Sequence, residues 1–400
     1  MGYPSSTTEG HLGNARLILA THHLNEKVNM HASPTQRPAW SEISLDALAH
    51  NVRTIRGMLT PDVTFYAVCK NDAYGCGARE TATTMLQAGA NAFAVSDPED
   101  ALRIRAAGVA APILLYAAST PDMARDIAEL SLIVTAHDFD SLNAYAATGV
   151  RTRVHVELDC GYGRLGFTPD EWPRLFECLR KASTLSVVGI YTHLAQVEDP
   201  MLVKQQASLF SQASTLAAQA GFSNIERMAA SSRVLSGYPE LNLNAVNPGR
   251  WLYGMVEAPW LANNPFKPVI VAVKSRVLQV KTIPAEFPMD DPVHRARPGK
   301  LKTAVIAFGF KDGLPRQPAG GSVLVRGQRA RIIGVRSTEH TVIDVSDIAG
   351  VCAGDEVVLV GRQGDASIDA LEAVATYNMT MIELLPRMTL STVRRYMQET

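Results

Sequence analysis

No stretch of the chain approaches the ~18 consecutive apolar residues that would span a bilayer. No block of lysine and arginine offers the footprint of a nucleic-acid or anionic-membrane binder, and the formal net charge is only −1. Small molecules and protein subunits are therefore the expected partners, with no nucleic acid and no membrane among them. Cysteine is scarce: Cys69, Cys76, Cys160, Cys178 and Cys352 are scattered with no CxxC spacing, which argues against a zinc site and a secreted disulfide framework. A reducing cytoplasm fits that pattern. The opening segment lacks a charged start followed by an apolar core, so it does not read as a secretory signal. Residues 1–38 read as an extension outside the core fold, with Met30 as an alternative start. What is present is ample apolar material: 46% of 400 residues are hydrophobic and 19% charged, enough for two well-packed domains.

After Trp40 short β-rich runs alternate with longer segments of helical apolar spacing, the rhythm of a parallel βα architecture. The runs are TFYAVC (64–69), AFAVS (92–96), ILLY (113–116), LIVTA (132–136), RVHVEL (153–158), VVGIYTH (187–193), IERMAA (225–230) and NAVNPG (244–249). Eight such units predict an α/β fold, a (β/α)8 barrel over 39–266. From Lys267 the pattern changes to alternating strands and turns, as in VIVAVKSRVLQVKTI and GSVLVRGQRARIIGV, predicting a C-terminal all-β domain over 267–400.

Barrel chemistry lies at the C-terminal ends of the strands, so the polar residues after each run carry the most information. Lys70 closes the first run; taken alone, such a lysine reads as a solvated rim charge. The loops HVELDCGYGRLGF, GIYTHLAQVED, MAASSR and VNPGRWLYG bring glycines and hydroxyls to the same rim, a composition that suits a phosphate group.

In this order the segments AVCKNDAYGCG, LDCGYGRLGF, YTHLA, NPGRWLYG and FGFKDGLPR resemble those of the alanine racemases, fold-type III pyridoxal-phosphate enzymes, from about Pro38 to Tyr396. The resemblance implies a barrel plus β-domain, paired head to tail as a homodimer whose partner completes each site. It implies pyridoxal 5'-phosphate as cofactor, held by Lys70 as a Schiff base, with the released amine acting as a base at Cα of a small amino acid. Tyr74, Ser231 and the backbone amides around Gly249 and Arg250 would reach the phosphate. His193 would pack on the ring and Arg164 would approach its phenolic oxygen. No metal is implied.

The chain departs from that family in ways that bear on chemistry. Glu157 stands where the family carries a carbamylatable lysine, and its spacing to Arg164 suggests a bidentate pair that holds the guanidinium. Ala230 replaces an asparagine. Asn247 replaces the arginine facing the pyridine nitrogen; its carbonyl could accept from a protonated ring and so favour a longer-lived carbanion. The second catalytic tyrosine has no counterpart in AEFPMDDPVHRARPGKLK, where Asp290, Asp291 and His294 are the nearest candidates. Ile382 replaces a phosphate-binding tyrosine, Phe310 a gate tyrosine, and the carboxylate-binding turn becomes GVRSTEHTVID. A racemase or epimerase is the first expectation. A one-base enzyme such as an aldolase for β-hydroxy amino acids is the alternative, followed by a noncatalytic cofactor-binding protein.

Overall fold

In the computed structural model, residues 37–117, 119–257, 263–289, 291–317, 320–334 and 336–398 are described. The first strand, β1 (Ala39–Ser44), is followed by eight parallel strands that close into a barrel. These are β2 (Thr64–Val68), β3 (Ala92–Val95), β4 (Ile113–Leu115), β5 (Ile133–Ala136), β6 (Thr152–Glu157), β7 (Leu185–Tyr191), β8 (Glu226–Ala230) and β9 (Ala245–Val246). Each corresponds to one of the eight apolar runs. The ring is closed where β9 returns to β2, pairing Phe65 with Val246.

The runs are continuously apolar because both faces are covered. In β2 and β3, Tyr66, Val68, Ala92 and Ala94 fill the barrel interior, whereas Phe65, Ala67, Phe93 and Val95 join the core beneath the helices. Aspartates set the starts of the crossover helices: Asp97 accepts from Glu99 N ahead of Pro98–Ala106, and Asp199 accepts from Met201 N and Leu202 N ahead of Pro200–Gln219. Both leave the chain at the strand-end rim with its helix entry already capped.

The remaining strands are β10 (Ile270–Thr282), β11 (Lys302–Ile306), β12 (Ser322–Val325), β13 (Gln328–Ile333), β14 (Thr341–Asp344), β15 (Glu356–Gln363), β16 (Ala366–Ile368) and β17 (Val393–Met397). With β1 they form a nine-stranded sheet in the order β16-β15-β12-β13-β14-β11-β10-β1-β17. β1 was expected with the barrel but lies antiparallel to β10 and parallel to β17. The sheet thus takes a strand from each side of the barrel, so residues far apart in sequence meet near the first barrel loop. Two longer helices, Ala370–Tyr377 and Met381–Leu390, and a short one, Pro292–Ala296, accompany these strands; the alternation of strand and turn signals did not single them out.

Candidate active site

The segment after β2 has an uncommon backbone. Asn71, Asp72, Ala73 and Tyr74 have φ values of 56°, 51°, 55° and 53°, one turn of left-handed helix built without glycine. Each such residue costs about 1–2 kcal/mol relative to the right-handed region, so tertiary contacts must hold the turn. It places Lys70 and Tyr74 together: Lys70 Nζ is 5.9 Å from the Tyr74 ring centroid.

At the C-terminal rim the barrel opens into a cavity of about 440 Å³. The eight residues expected around the cofactor line it: Lys70, Tyr74, Arg164, His193, Ser231, Asn247, Gly249 and Arg250. Glu157 and Ile382 line it as well.

The cavity is cationic and its ionisable groups are largely buried, and burial is the leading cause of their pKa shifts. Burial lowers the Lys70 amine, and the neighbouring charges of Arg164 and Arg250 lower it further, enlarging the free-amine fraction that a nucleophile or base needs. Burial and then Arg164, Lys70, Arg233 and Arg250 bring His193 down to about 4, so its imidazole is neutral at pH 7. Burial raises Glu157 above its usual range, against the opposing hydrogen bond from Tyr191 and the charge of Arg164.

The expected bidentate pair between Glu157 and Arg164 is not formed. The Tyr191 hydroxyl donates to Glu157 Oε2 at 2.9 Å. Arg164 lies over the Tyr162 ring at 4.4 Å, and Tyr162 packs against His193 with ring centroids 5.3 Å apart. The reason is where the two residues lie. Glu157 ends a barrel strand and is buried, whereas Arg164 belongs to an exposed loop curled around Asp159, which accepts from the amides of Gly161, Tyr162 and Gly163.

The other end of the cavity is built around Gly249. A Cβ there would lie 2.6 Å from the Tyr74 hydroxyl oxygen, so only glycine lets that hydroxyl approach the turn. Tyr74 is supported by Tyr253, with ring centroids 4.8 Å apart, and the Tyr253 hydroxyl donates to Val68 O at 2.9 Å. The Gly249 amide expected to face a phosphate donates instead to Ser232 Oγ at 2.9 Å. Ser231 lines the cavity beside it, and Arg250 pairs with Glu257 at 3.3 Å. Asn247 Nδ2 donates to the Tyr116 hydroxyl at 3.0 Å, leaving its carbonyl as an acceptor.

Tyr116, Tyr191, Ser232 and Arg233 line the cavity without having been singled out. Tyr116 ends the ILLY run and Tyr191 lies in the VVGIYTH run as the last residue of β7, so their strand-end position was an available signal. Ser232 differs from Ser231 only in orientation, which adjacency in sequence does not reveal.

Two of the three candidates for a second base, Asp291 and His294, are bonded to their own loop. Asp291 is buried; its carboxylate accepts from Val293 N at 2.8 Å and Gly334 N at 2.9 Å. His294 is buried with Nδ1 3.3 Å from Met289 O and Nε2 3.1 Å from Pro284 O. Both are taken up in fastening their own loop, and Asp290 lies outside the described residues. Among the described residues no group of three or more His, Cys, Asp or Glu could hold a metal ion, and no helix is long and apolar enough to cross a membrane.

Fold and cavity together define a barrel protein with a strand-end lysine in a cationic pocket and a sheet domain appended. Residues 43–257 match the family model for the N-terminal domain of alanine racemase, and residues 270–396 that for its C-terminal domain. The chain belongs to the alanine racemase family. It is 31% identical to an alanine racemase of Nostoc sp. over 87% of this chain and 92% of that one. It is 34% identical to one of Desulforamulus reducens over 82% and 90%. The crystal structure of the Bacillus anthracis alanine racemase with bound L-Ala-P superposes with a TM-score of 0.83 at 27% identity, covering 92% of this chain and 96% of that one.

Proposed function

We propose that this protein is a pyridoxal 5'-phosphate-dependent amino-acid racemase acting at Cα of a small amino acid, as a homodimer in the cytoplasm. The observation that carries the proposal is Lys70 with its lowered amine, at a strand end in a cationic cavity of a chain belonging to the alanine racemase family. The residues present fit the cofactor: Gly249 leaves room beside the Tyr74 hydroxyl, and Arg250, Ser231 and Tyr74 offer the donors a phosphate requires. When bound, the cofactor supplies an aldehyde for the lysine and a ring that draws electron density from Cα.

The chain's own residues then divide the work. Lys70, its amine pKa lowered, would hold the cofactor and move a proton at Cα. Neutral His193 packs without adding a positive charge to a pocket already rich in them. Arg164 attracts an anionic oxygen at the rim, and the Asn247 carbonyl is the acceptor available to a ring N–H. Family membership favours racemisation over the aldolase and noncatalytic alternatives.

The test combines two measurements. Borohydride reduction and peptide mapping should find the pyridoxyl group on Lys70; another lysine carrying it would refute the assignment. Incubation of each enantiomer of a small amino acid in deuterium oxide, followed by chiral analysis, should show interconversion with label at Cα. Cleavage of β-hydroxy amino acids without interconversion would replace the racemase by the one-base lyase, the outcome favoured if no other group takes the place left by Asp291 and His294.

A further inference from the structure

The left-handed turn that follows Lys70 is held in part by the other end of the chain. Arg394 on β17 places Nη1 2.6 Å from Asp72 Oδ2, two residues beyond Lys70. Asp72 Oδ1 accepts from Ala78 N at 2.7 Å, and the Asp72 amide donates to Asp100 Oδ2 at 3.1 Å. Tyr396, also on β17, donates its hydroxyl to Cys76 O at 3.0 Å. The packing there is close: a Cβ on Gly77 would lie 2.1 Å from the Tyr396 hydroxyl oxygen, and one on Gly75 2.1 Å from Thr389 Oγ1.

We infer that Arg394 and Tyr396 are positioning residues for Lys70, clasping from β17 the left-handed turn that aims its amine into the cavity. The catalytic consequence rests on the racemase reading; the geometry does not. None of the four residues in left-handed conformation is glycine, so local preference drives the turn toward right-handed backbone. The Asp72 carboxylate is nearly enclosed, and its other cationic neighbour, Arg103, is farther away at 3.7 Å. Without Arg394 the anion is poorly compensated and the clasp opens. Lys70 then leaves the neighbourhood of the Tyr74 ring, Arg164, Arg250 and His193, which face its amine.

The test uses the full chain and compares Arg394→Ala, Arg394→Lys and Tyr396→Phe with the wild type. Acetic anhydride labelling of Lys70 in the full chain after hydroxylamine has removed any pyridoxal phosphate, followed by peptide mass across a pH series, reads the free amine without requiring turnover. In Arg394→Ala and Tyr396→Phe the labelling midpoint should move up toward that of an ordinary lysine, and Arg394→Lys should return toward the wild-type profile. Where racemisation is measurable, kcat should fall about tenfold with little change in KM, as expected for a misplaced reacting group. If Arg394→Ala does not fold, Tyr396→Phe decides, since it removes the hydroxyl that bonds Cys76 O and Arg394 and retains the ring. An unmoved labelling midpoint in the folded variants would overturn the inference. A wild type without racemase activity would instead remove the proposed function, and the labelling result would still stand.

Discussion

The two ends of the barrel each hold a glutamate, and they are treated in opposite ways. Glu157, the last residue of β6, faces the cavity with one hydroxyl donor, Tyr191, and burial raises its pKa. Glu226, the first residue of β8, lies at the other mouth. Burial pushes it up too, but hydrogen bonds from His155 Nε2 at 3.1 Å and Tyr66 Oη at 2.6 Å outweigh that and leave it below its usual range. Two similar carboxyls in one barrel therefore differ because of how many donors each meets: Glu226 is secured as an anion, while Glu157 pays a desolvation penalty that its neighbours do not cancel. The far end is built for stability and the strand-end rim for chemistry.

The comparison can be broken most severely at the rim. Lys70→Ala should reduce racemisation about a thousandfold or more while leaving the thermal midpoint nearly unchanged, because the side chain reaches solvent through the cavity. Chiral product analysis beside a melting curve checks it; a variant that keeps its rate would deny Lys70 its role.

At the opposite mouth the effect should be on stability. Glu226→Gln should lose about 2 kcal/mol at neutral pH, the scale of hydrogen bonds to a charged group. Because Glu226 has a folded pKa below its unfolded value, its contribution is present above the ordinary carboxylate pKa and lost as pH falls through the lowered folded value. Denaturant titrations should therefore show wild type and variant converging in acid; a gap that widens there would contradict the assignment.

Glu157→Gln should carry the reverse sign. A carboxyl with a raised folded pKa contributes stability that is present below the unfolded value and lost as pH rises through the folded one. The variant should equal or exceed wild-type stability at neutral pH, by less than about 1 kcal/mol, while its turnover falls. Greater instability at neutral pH than in acid would show that Glu157 is held as an anion like Glu226. The smallest effect expected is none: bicarbonate should leave wild-type turnover unchanged, since Glu157 stands in place of the lysine that carbon dioxide would modify, and a bicarbonate requirement would count against that.

Much of this molecule can be read from its sequence because the responsible forces are local. Eight short apolar runs, each followed by polar or glycine-bearing residues, mark the barrel strands and their functional ends, and all eight residues read at those ends and loops converge on one cavity. Partner choice was beyond local reading. The segment KNDAY contains no glycine to announce a left-handed turn, and that turn depends on Arg394 and Tyr396, more than 300 residues away. Spacing suggested Arg164 for Glu157, but the barrel wall supplied Tyr191 and the loop carried Arg164 onto Tyr162. Asp291 and His294 looked free in sequence, yet loop closure brought backbone groups onto both. Periodicity and propensity act over a few residues, so the sequence alone determines which elements form; which polar atoms meet is a matter of distance between remote segments, settled only when the barrel and sheet have closed.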